Sequence, residues 1–181
     1  LAAIVLAAGA ATAAVPKAGD VVVGFEIVER GSSASAIGVQ RLSRNGEPLW
    51  GDGKAPVNLS NPGASGRSPA VCEDGAGGVL VAYEYEFATG EHAGDCDLVV
   101  QRIDAGGKPL WAVPKPIAGS RGAERHPIMV SDGRGGAIDV YEWTNQAGDT
   151  DVLAQRVDGV QRQDRRIRSV GLRRSGFSEH A

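Results

Sequence analysis

The sequence contains few of the residues on which catalytic and metal sites commonly depend. Its 181 residues include two Cys, three His and one Met, and aromatic residues make up 5%. Two Cys are too few for a disulfide-rich scaffold, and neither His92 nor His126 has a partner at the spacing of a zinc site. A Gly-x-Ser-x-Gly motif is missing, and no Lys or helix follows the Gly-rich turn at 75–78 as in a phosphate-binding loop. These absences favour a protein that is not an enzyme.

A surplus of positive charge is also missing. The 19 Lys and Arg against 22 Asp and Glu give a net charge of −3. The broad basic surface that attracts nucleic acids and anionic membranes is therefore not expected. The 42% hydrophobic and 23% charged residues are typical of a globular protein.

No apolar run is long enough to cross a membrane. The apolar stretch at 1–15 is shorter than the roughly 20 residues that a spanning helix needs, and Ala11-Thr12-Ala13 within it resembles a signal-peptidase site. We therefore predict an incomplete signal peptide over residues 1–14 and a mature chain without a membrane span. The expected location is secreted, periplasmic or at the cell surface, and a buried Ala-rich helix is the alternative for this stretch.

The dominant feature of the chain is an internal repeat. A unit from Asp97 to Trp143 has a near-copy upstream and the beginning of another copy downstream, with a period of roughly 50 to 60 residues. Residues that correspond between copies are Gln40, Gln101 and Gln155; Trp50 and Trp111; Pro69 and Pro127; Asp74 and Asp132; and Glu26, Glu84 and Glu142. Such regularity predicts like structural units over residues 19–158.

Each unit reads as four short strands. The runs are rich in β-branched and aromatic residues and are separated by Gly, Asp and Asn, while no window shows the period of a helix. Asn45-Gly46 and the Asp-Gly-x-Gly-Gly turns at 74–78 and 132–136 predict tight antiparallel hairpins. Ten strands are predicted, over residues 21–28, 36–43, 47–50, 68–73, 79–87, 97–104, 108–111, 127–131, 137–143 and 151–158. The predicted fold class is all-β.

Four antiparallel strands repeated at this period are typical of a β-propeller blade, although a β-solenoid or tandem sandwich would also fit. The motifs Asp-x-x-x-Gln-Arg, Leu-Trp and Asp-Gly-x-Gly-Gly resemble the repeats of secreted bacterial β-propeller proteins. The resemblance covers residues 19–158 and implies a partial propeller, a fragment of about two and a half blades. It implies no particular activity. The Asp-box order of sialidase-like propellers is absent.

The segment at 159–181 departs from the repeat. It contains six Arg and no Lys, and it lacks the Gly-x-x-Leu-Trp that should follow Asp158. An Arg-rich segment with few large apolar groups cannot bury enough surface to offset the entropy cost of ordering it. We expect this tail to be disordered or not native sequence, and a basic tail that binds an acidic partner is the alternative.

Two loops carry paired acids. Asp95 and Asp97, and Asp149 and Asp151, precede the first strand of successive units. Carboxylates at i and i+2 could share a Ca²⁺ ion with nearby carbonyl groups. The alternative is that each Asp accepts hydrogen bonds from loop N–H groups and begins the strand.

The two cysteines, Cys72 and Cys96, are able to pair in an exported protein. A disulfide between them would contribute about 3.5 kcal/mol in the chain-entropy model. Against that, Cys72 aligns with Val130 in the middle of a strand, which is typical of an ordinary buried residue.

The recurring Glu26, Glu84 and Glu142, the Gln-Arg pairs and the Trp residues allow two interpretations. As a ring they could bind a polar ligand such as a glycan. Because a catalytic group is needed once and packing is needed in every unit, we favour hydrogen bonds and packing between sheets.

The sequence therefore predicts a secreted binding or scaffold module with an unknown protein or glycan ligand and no required cofactor. One alternative is part of a glycan-processing propeller of sialidase or lyase type, whose catalytic residues lie outside this sequence. Another is a Ca²⁺-stabilised cell-surface protein.

Overall fold

The computed structural model describes residues 12–17, 19–28, 31, 34–51, 55–59, 64–87, 94–119 and 121–158. This part of the chain is all-β, as predicted, and contains no helix that could cross a membrane. Its strands are β1 Thr12–Lys17, β2 Asp20–Val28, β3 Ser35–Leu42, β4 Val57–Asn58, β5 Ala64–Glu73, β6 Val79–Phe87, β7 Cys96–Ile103, β8 Lys115–Ala118, β9 Ala123–Ser131, β10 Ala137–Thr144 and β11 Thr150–Val157.

The strands form three antiparallel meanders of the same kind. The first meander, β1-β2-β3-β4, is a separate sheet. The other two belong to one seven-stranded sheet with the order β11-β10-β9-β7-β6-β5 and β8 paired with β7. We call its part β5-β6-β7-β8 the middle sheet and its part β9-β10-β11 the third sheet. A single parallel pair, Cys96 with Ala123, joins the middle sheet to the third. The chain therefore passes from one sheet to the next after β4 and after β8, which places the boundary behind the Leu-Trp segment of each repeat.

The Asp-Gly-x-Gly-Gly turns form the predicted hairpins, and the Asp side chain of each motif stabilises its turn. Asp74 Oδ1 accepts hydrogen bonds at 2.8 Å from the N–H groups of Ala76 and Gly78, while its Oδ2 pairs with Arg102 at 2.9 Å. Asp132 repeats this arrangement with Arg156 in the third sheet. One carboxylate thus closes the turn and ties it to the third strand of its own sheet.

Two predicted strands, 47–50 and 108–111, are wrong. Each forms only one isolated bridge, and β4 and β8 pair with the preceding strand further along. The Gln101 side chain explains the interruption: its amide accepts the N–H of Trp111 at 3.2 Å and donates to the Trp111 carbonyl at 2.9 Å. The N–H and C=O groups of Trp111 that would pair with a neighbouring strand are bound by this side chain instead.

The ends of the chain differ in what the structure describes. Thr12–Lys17, part of which falls in the predicted signal segment, forms a strand paired with β2. Residues 1–11 and the tail at 159–181 lie outside the described residues, so the predictions for them stay predictions.

The core consists of two apolar layers, one on each face of the middle sheet. Val79, Val81 and Tyr83 pack on the first sheet, while Leu80 and Ala82 pack against the third. All five are at most 1% exposed. Because both faces are covered, the strand reads as a nearly continuous apolar run rather than an alternating one.

Candidate functional site

The first strands of the middle and third sheets carry an irregularity that the sequence did not predict. Ser68 and His126 have φ angles of 48° and 56°, and each precedes a proline at a register shift in its strand. A residue other than Gly rarely adopts positive φ, and such conformations persist where the surroundings impose them. Pro69 and Pro127 therefore mark mid-strand bulges, not strand starts.

A glutamate from the preceding sheet holds each bulge. The N–H of Ser68 donates to Glu26 Oε1 at 3.0 Å, and the N–H of His126 donates to Glu84 Oε1 at 2.9 Å. Glu84 is 3% exposed, and its other oxygen lies 3.3 Å from Arg125 Nη1. These contacts confirm the interpretation of Glu26 and Glu84 as hydrogen bonds between sheets.

Charged and polar side chains lie beside the bulges and form what we call the bulge row: Arg67, Glu86, Arg125, His126 and Glu142. The last two are exposed and the other three are partly exposed. Arg67 Nε and Glu86 Oε2 are 3.1 Å apart, and His126 Nδ1 and Glu142 Oε2 are 3.0 Å apart. The row contains both donors and acceptors of hydrogen bonds, with both signs of charge. It can therefore bind a ligand that both donates and accepts hydrogen bonds.

A second polar group lies in the interface between the middle and third sheets. Asp139 is fully buried, and neither of its carboxylate oxygens has a hydrogen-bond partner among the described residues. Burial raises the pKa of this carboxyl to about 7. Cys72 and Tyr141 belong to the same core layer. Burial raises the pKa values of both, and the negative charge of Asp139 raises them further. The site is closed to solvent and cannot take a substrate as it stands.

The acids predicted to bind Ca²⁺ have local roles in the loops. Asp95 Oδ1 accepts the N–H of Cys96 at 3.0 Å, and Asp149 Oδ2 accepts from Asn145 at 3.1 Å. Asp97 is the second residue of β7 and pairs with Tyr85, and Asp151 is paired with Trp143 across the hairpin. Within the described ranges, no group of three or more His, Cys, Asp or Glu could hold a metal ion. Calcium binding by either pair stays a prediction.

The possible disulfide between Cys72 and Cys96 is not formed. Both thiols are free and buried, on β5 and β7, with β6 between them. Their partners on β6 are Leu80 and Glu86, six positions apart, so the two Cα atoms are separated by well over the roughly 7 Å that a disulfide tolerates. Burial raises the pKa of each thiol to about 12, so both are protonated at neutral pH.

The recurring tryptophans pack inside the protein. Trp50 is 2% exposed and its Nε1 donates to the carbonyl of Ala105 in the middle sheet at 3.1 Å, while Trp111 is 7% exposed. Trp143 packs against the second core layer. The first two rings therefore have no face free to stack on a sugar.

Sequence reasoning missed the bulge row and the buried Asp139. The sequence does contain signals for both: an Arg-x-Pro spacing at Arg67 and Arg125, and an Asp139 where the other copies have Val23 and Val81. No protein-family model and no curated protein matches this chain.

Proposed function

We propose that the protein is a secreted β-propeller-type module that binds a neutral glycan at the bulge row. The observation that carries the proposal is this row of exposed and partly exposed side chains of both charge signs, held on a bulged backbone that Glu26 and the buried Glu84 fix in place. Sugar hydroxyl groups donate and accept hydrogen bonds, and the row offers both kinds of partner.

The arrangement of the sheets supports the propeller. The first strands β1, β5 and β9 lie next to one another, and each sheet packs its face on the next. In a propeller the innermost strands meet around a channel in this way. Arg67, Arg125 and His126 of the bulge row lie on β5 and β9 and would therefore border that channel, with Glu86 and Glu142 on the next strands.

Most recurring polar residues are used for structure, which favours binding over catalysis. Glu26 and Glu84 hold bulges, Gln40 and Gln101 hold the Leu-Trp backbone, and Arg102 holds a hairpin. A pre-formed polar surface on a rigid scaffold is what a binding module requires.

Binding is tested with the purified chain on a glycan array, followed by calorimetry with the strongest ligand. Arg67→Ala and His126→Asn are expected to weaken binding about tenfold each, the loss of one polar contact of about 1.4 kcal/mol. Asn is chosen at 126 because it tolerates positive φ.

Arg134→Ala is the matched control, because Arg134 is an exposed Arg in the hairpin at the other end of β9. This variant should bind as the wild type does. No binding to any glycan, or equal weakening by all three variants, would refute the proposal. Turnover of a bound glycan would instead favour the sialidase or lyase alternative.

A further inference from the structure

The imidazole ring of His126 is held in place from two sides. Its backbone N–H donates to Glu84 Oε1 at 2.9 Å, and its Nδ1 atom lies 3.0 Å from Glu142 Oε2. The side chain is nevertheless 65% exposed. The fold therefore positions the ring while most of its surface remains open to a ligand.

The contact with Glu142 decides which ring nitrogen carries the proton. A carboxylate only accepts hydrogen bonds, whereas a neutral imidazole has one nitrogen that donates and one that accepts. Nδ1 must therefore donate to Glu142 Oε2, and Nε2 is left as an acceptor. Arg125, the strand partner of Glu142, does not compete for this contact, because its Nη1 lies 3.3 Å from Glu84 Oε2.

This pair lies within the third sheet and occurs in one copy of the repeat. His126 is on β9 and Glu142 is on β10, so their contact does not depend on what else packs on this sheet. The repeat equivalent of His126 is Ser68, whose hydroxyl group can both donate and accept. The bulge of the third sheet therefore makes a demand on a ligand that the bulge of the middle sheet does not make.

We propose that Glu142 sets the ligand specificity of the bulge row by fixing His126 Nε2 as a hydrogen-bond acceptor. The bound glycan must then present a free hydroxyl group to this nitrogen. An ether, an ester or a carboxylate offers only lone pairs there, and two acceptors that face each other repel. The specificity rests on the proposed function, whereas the protonation of the ring rests only on the contact between Glu142 and His126.

Two-dimensional nitrogen NMR of the isotope-labelled chain at mildly alkaline pH measures the protonation of the ring directly. The wild type should show His126 protonated at Nδ1 and bare at Nε2, with its signals assigned by their loss in His126→Asn. Glu142→Gln should show both tautomers, because an amide can donate as well as accept. Glu47→Gln changes an exposed Glu in a hairpin of the first sheet, so it is the matched control and should leave the His126 signals unchanged. A wild-type ring protonated at Nε2, or identical spectra for the wild type and Glu142→Gln, would overturn the proposal.

Calorimetry tests the specificity with the strongest glycan from the array and its singly O-methylated derivatives. Each methyl ether keeps the oxygen atom and removes one donor. At least one derivative should bind the wild type about tenfold more weakly than the parent glycan does, the loss expected for one polar contact. The same derivative should bind Glu142→Gln within about twofold of the parent, because Nε2 can donate in that variant. A steric effect of the methyl group would persist in Glu142→Gln and would overturn the specificity.

The two experiments separate this proposal from the proposed function. Absence of binding to any glycan removes the proposed function and the specificity together, while the spectra still decide which nitrogen is protonated. Glycan binding without any methyl ether that behaves as expected removes the specificity alone.

Discussion

At the scale of single residues, Asp139 is the most unusual group in the interface between sheets. Its neighbours Cys72 and Tyr141 have pKa values raised to about 12 by burial, so they stay neutral through the range in which Asp139 titrates. Glu124 is also buried in this region. A buried carboxyl without partners favours its protonated form, because the charged form has lost its hydration.

The raised pKa of Asp139 makes the free energy of unfolding decrease as pH rises. In the unfolded chain Asp139 loses its proton near pH 3.8, and in the folded protein near pH 7. The folded state therefore binds the extra proton between these values, and the free energy of unfolding decreases as pH rises through this window. The difference corresponds to at most about 4 kcal/mol above pH 7.

Asp139→Asn should remove this pH dependence. The variant is expected to gain stability over the wild type at pH 8 and to gain much less at pH 5, as measured by urea unfolding at both values. Asp149→Asn, at an exposed acid, is the control and should change little at either pH. An equal effect of Asp139→Asn at pH 5 and pH 8 would contradict the raised pKa.

Glu84 is a second buried carboxylate that we expect to affect stability. It accepts a hydrogen bond from the N–H of His126 and pairs with Arg125. Glu84→Ala leaves that N–H without its acceptor and should cost about 1–3 kcal/mol of unfolding free energy. Glu142→Ala changes the equivalent residue, which is half exposed, and should stay within about 0.5 kcal/mol. Similar costs for the two variants in denaturant unfolding would show that Glu84 does not hold the bulge.

At the scale of elements, the hairpins depend on close backbone approach at one glycine. A Cβ atom at Gly78 would lie 2.2 Å from the carbonyl oxygen of Ile103, and one at Gly136 would lie 2.4 Å from that of Val157. Neither oxygen belongs to a side chain that can move aside. The last Gly of the Asp-Gly-x-Gly-Gly motif is therefore required for packing between neighbouring strands.

Gly78→Ala should destabilise the protein by about 3 kcal/mol, the upper part of the usual range for overpacking. Gly106→Ala is the matched control, because its added Cβ would meet only Asp104 Oδ1 at 3.4 Å. Thermal unfolding of the two variants compares them directly. If Gly106→Ala lowers the melting temperature as much as Gly78→Ala does, the close approach of Gly78 to the Ile103 carbonyl is not the reason for a Gly at this position of the motif.

The elements that the sequence predicted well are those specified by neighbours along the chain. The strands at 79–87 and 137–143 and the two Asp-Gly-x-Gly-Gly hairpins lie where β-branched, aromatic and turn residues indicated. The Leu-Trp segments were mistaken for strands because their apolar pattern is that of a strand. A side chain ten positions earlier, Gln101 for Trp111, binds their backbone instead.

At the scale of the whole molecule, the same kind of contact between sheets is used twice, once on each face of the middle sheet. The middle sheet is therefore apolar on both faces.

The sequence by itself determined the repeat, the all-β class and the hairpin turns, because the preference of β-branched residues for strands and the conformations of glycine act over a few residues. Only the tertiary structure decided where one sheet ends and the next begins, that Cys72 and Cys96 lie on separate strands, and that Asp139 is buried with no hydrogen-bond partner in the part of the chain that the structure describes. These properties depend on which faces of strands far apart in the sequence pack together. The spacing of the repeats along the chain does not determine that packing.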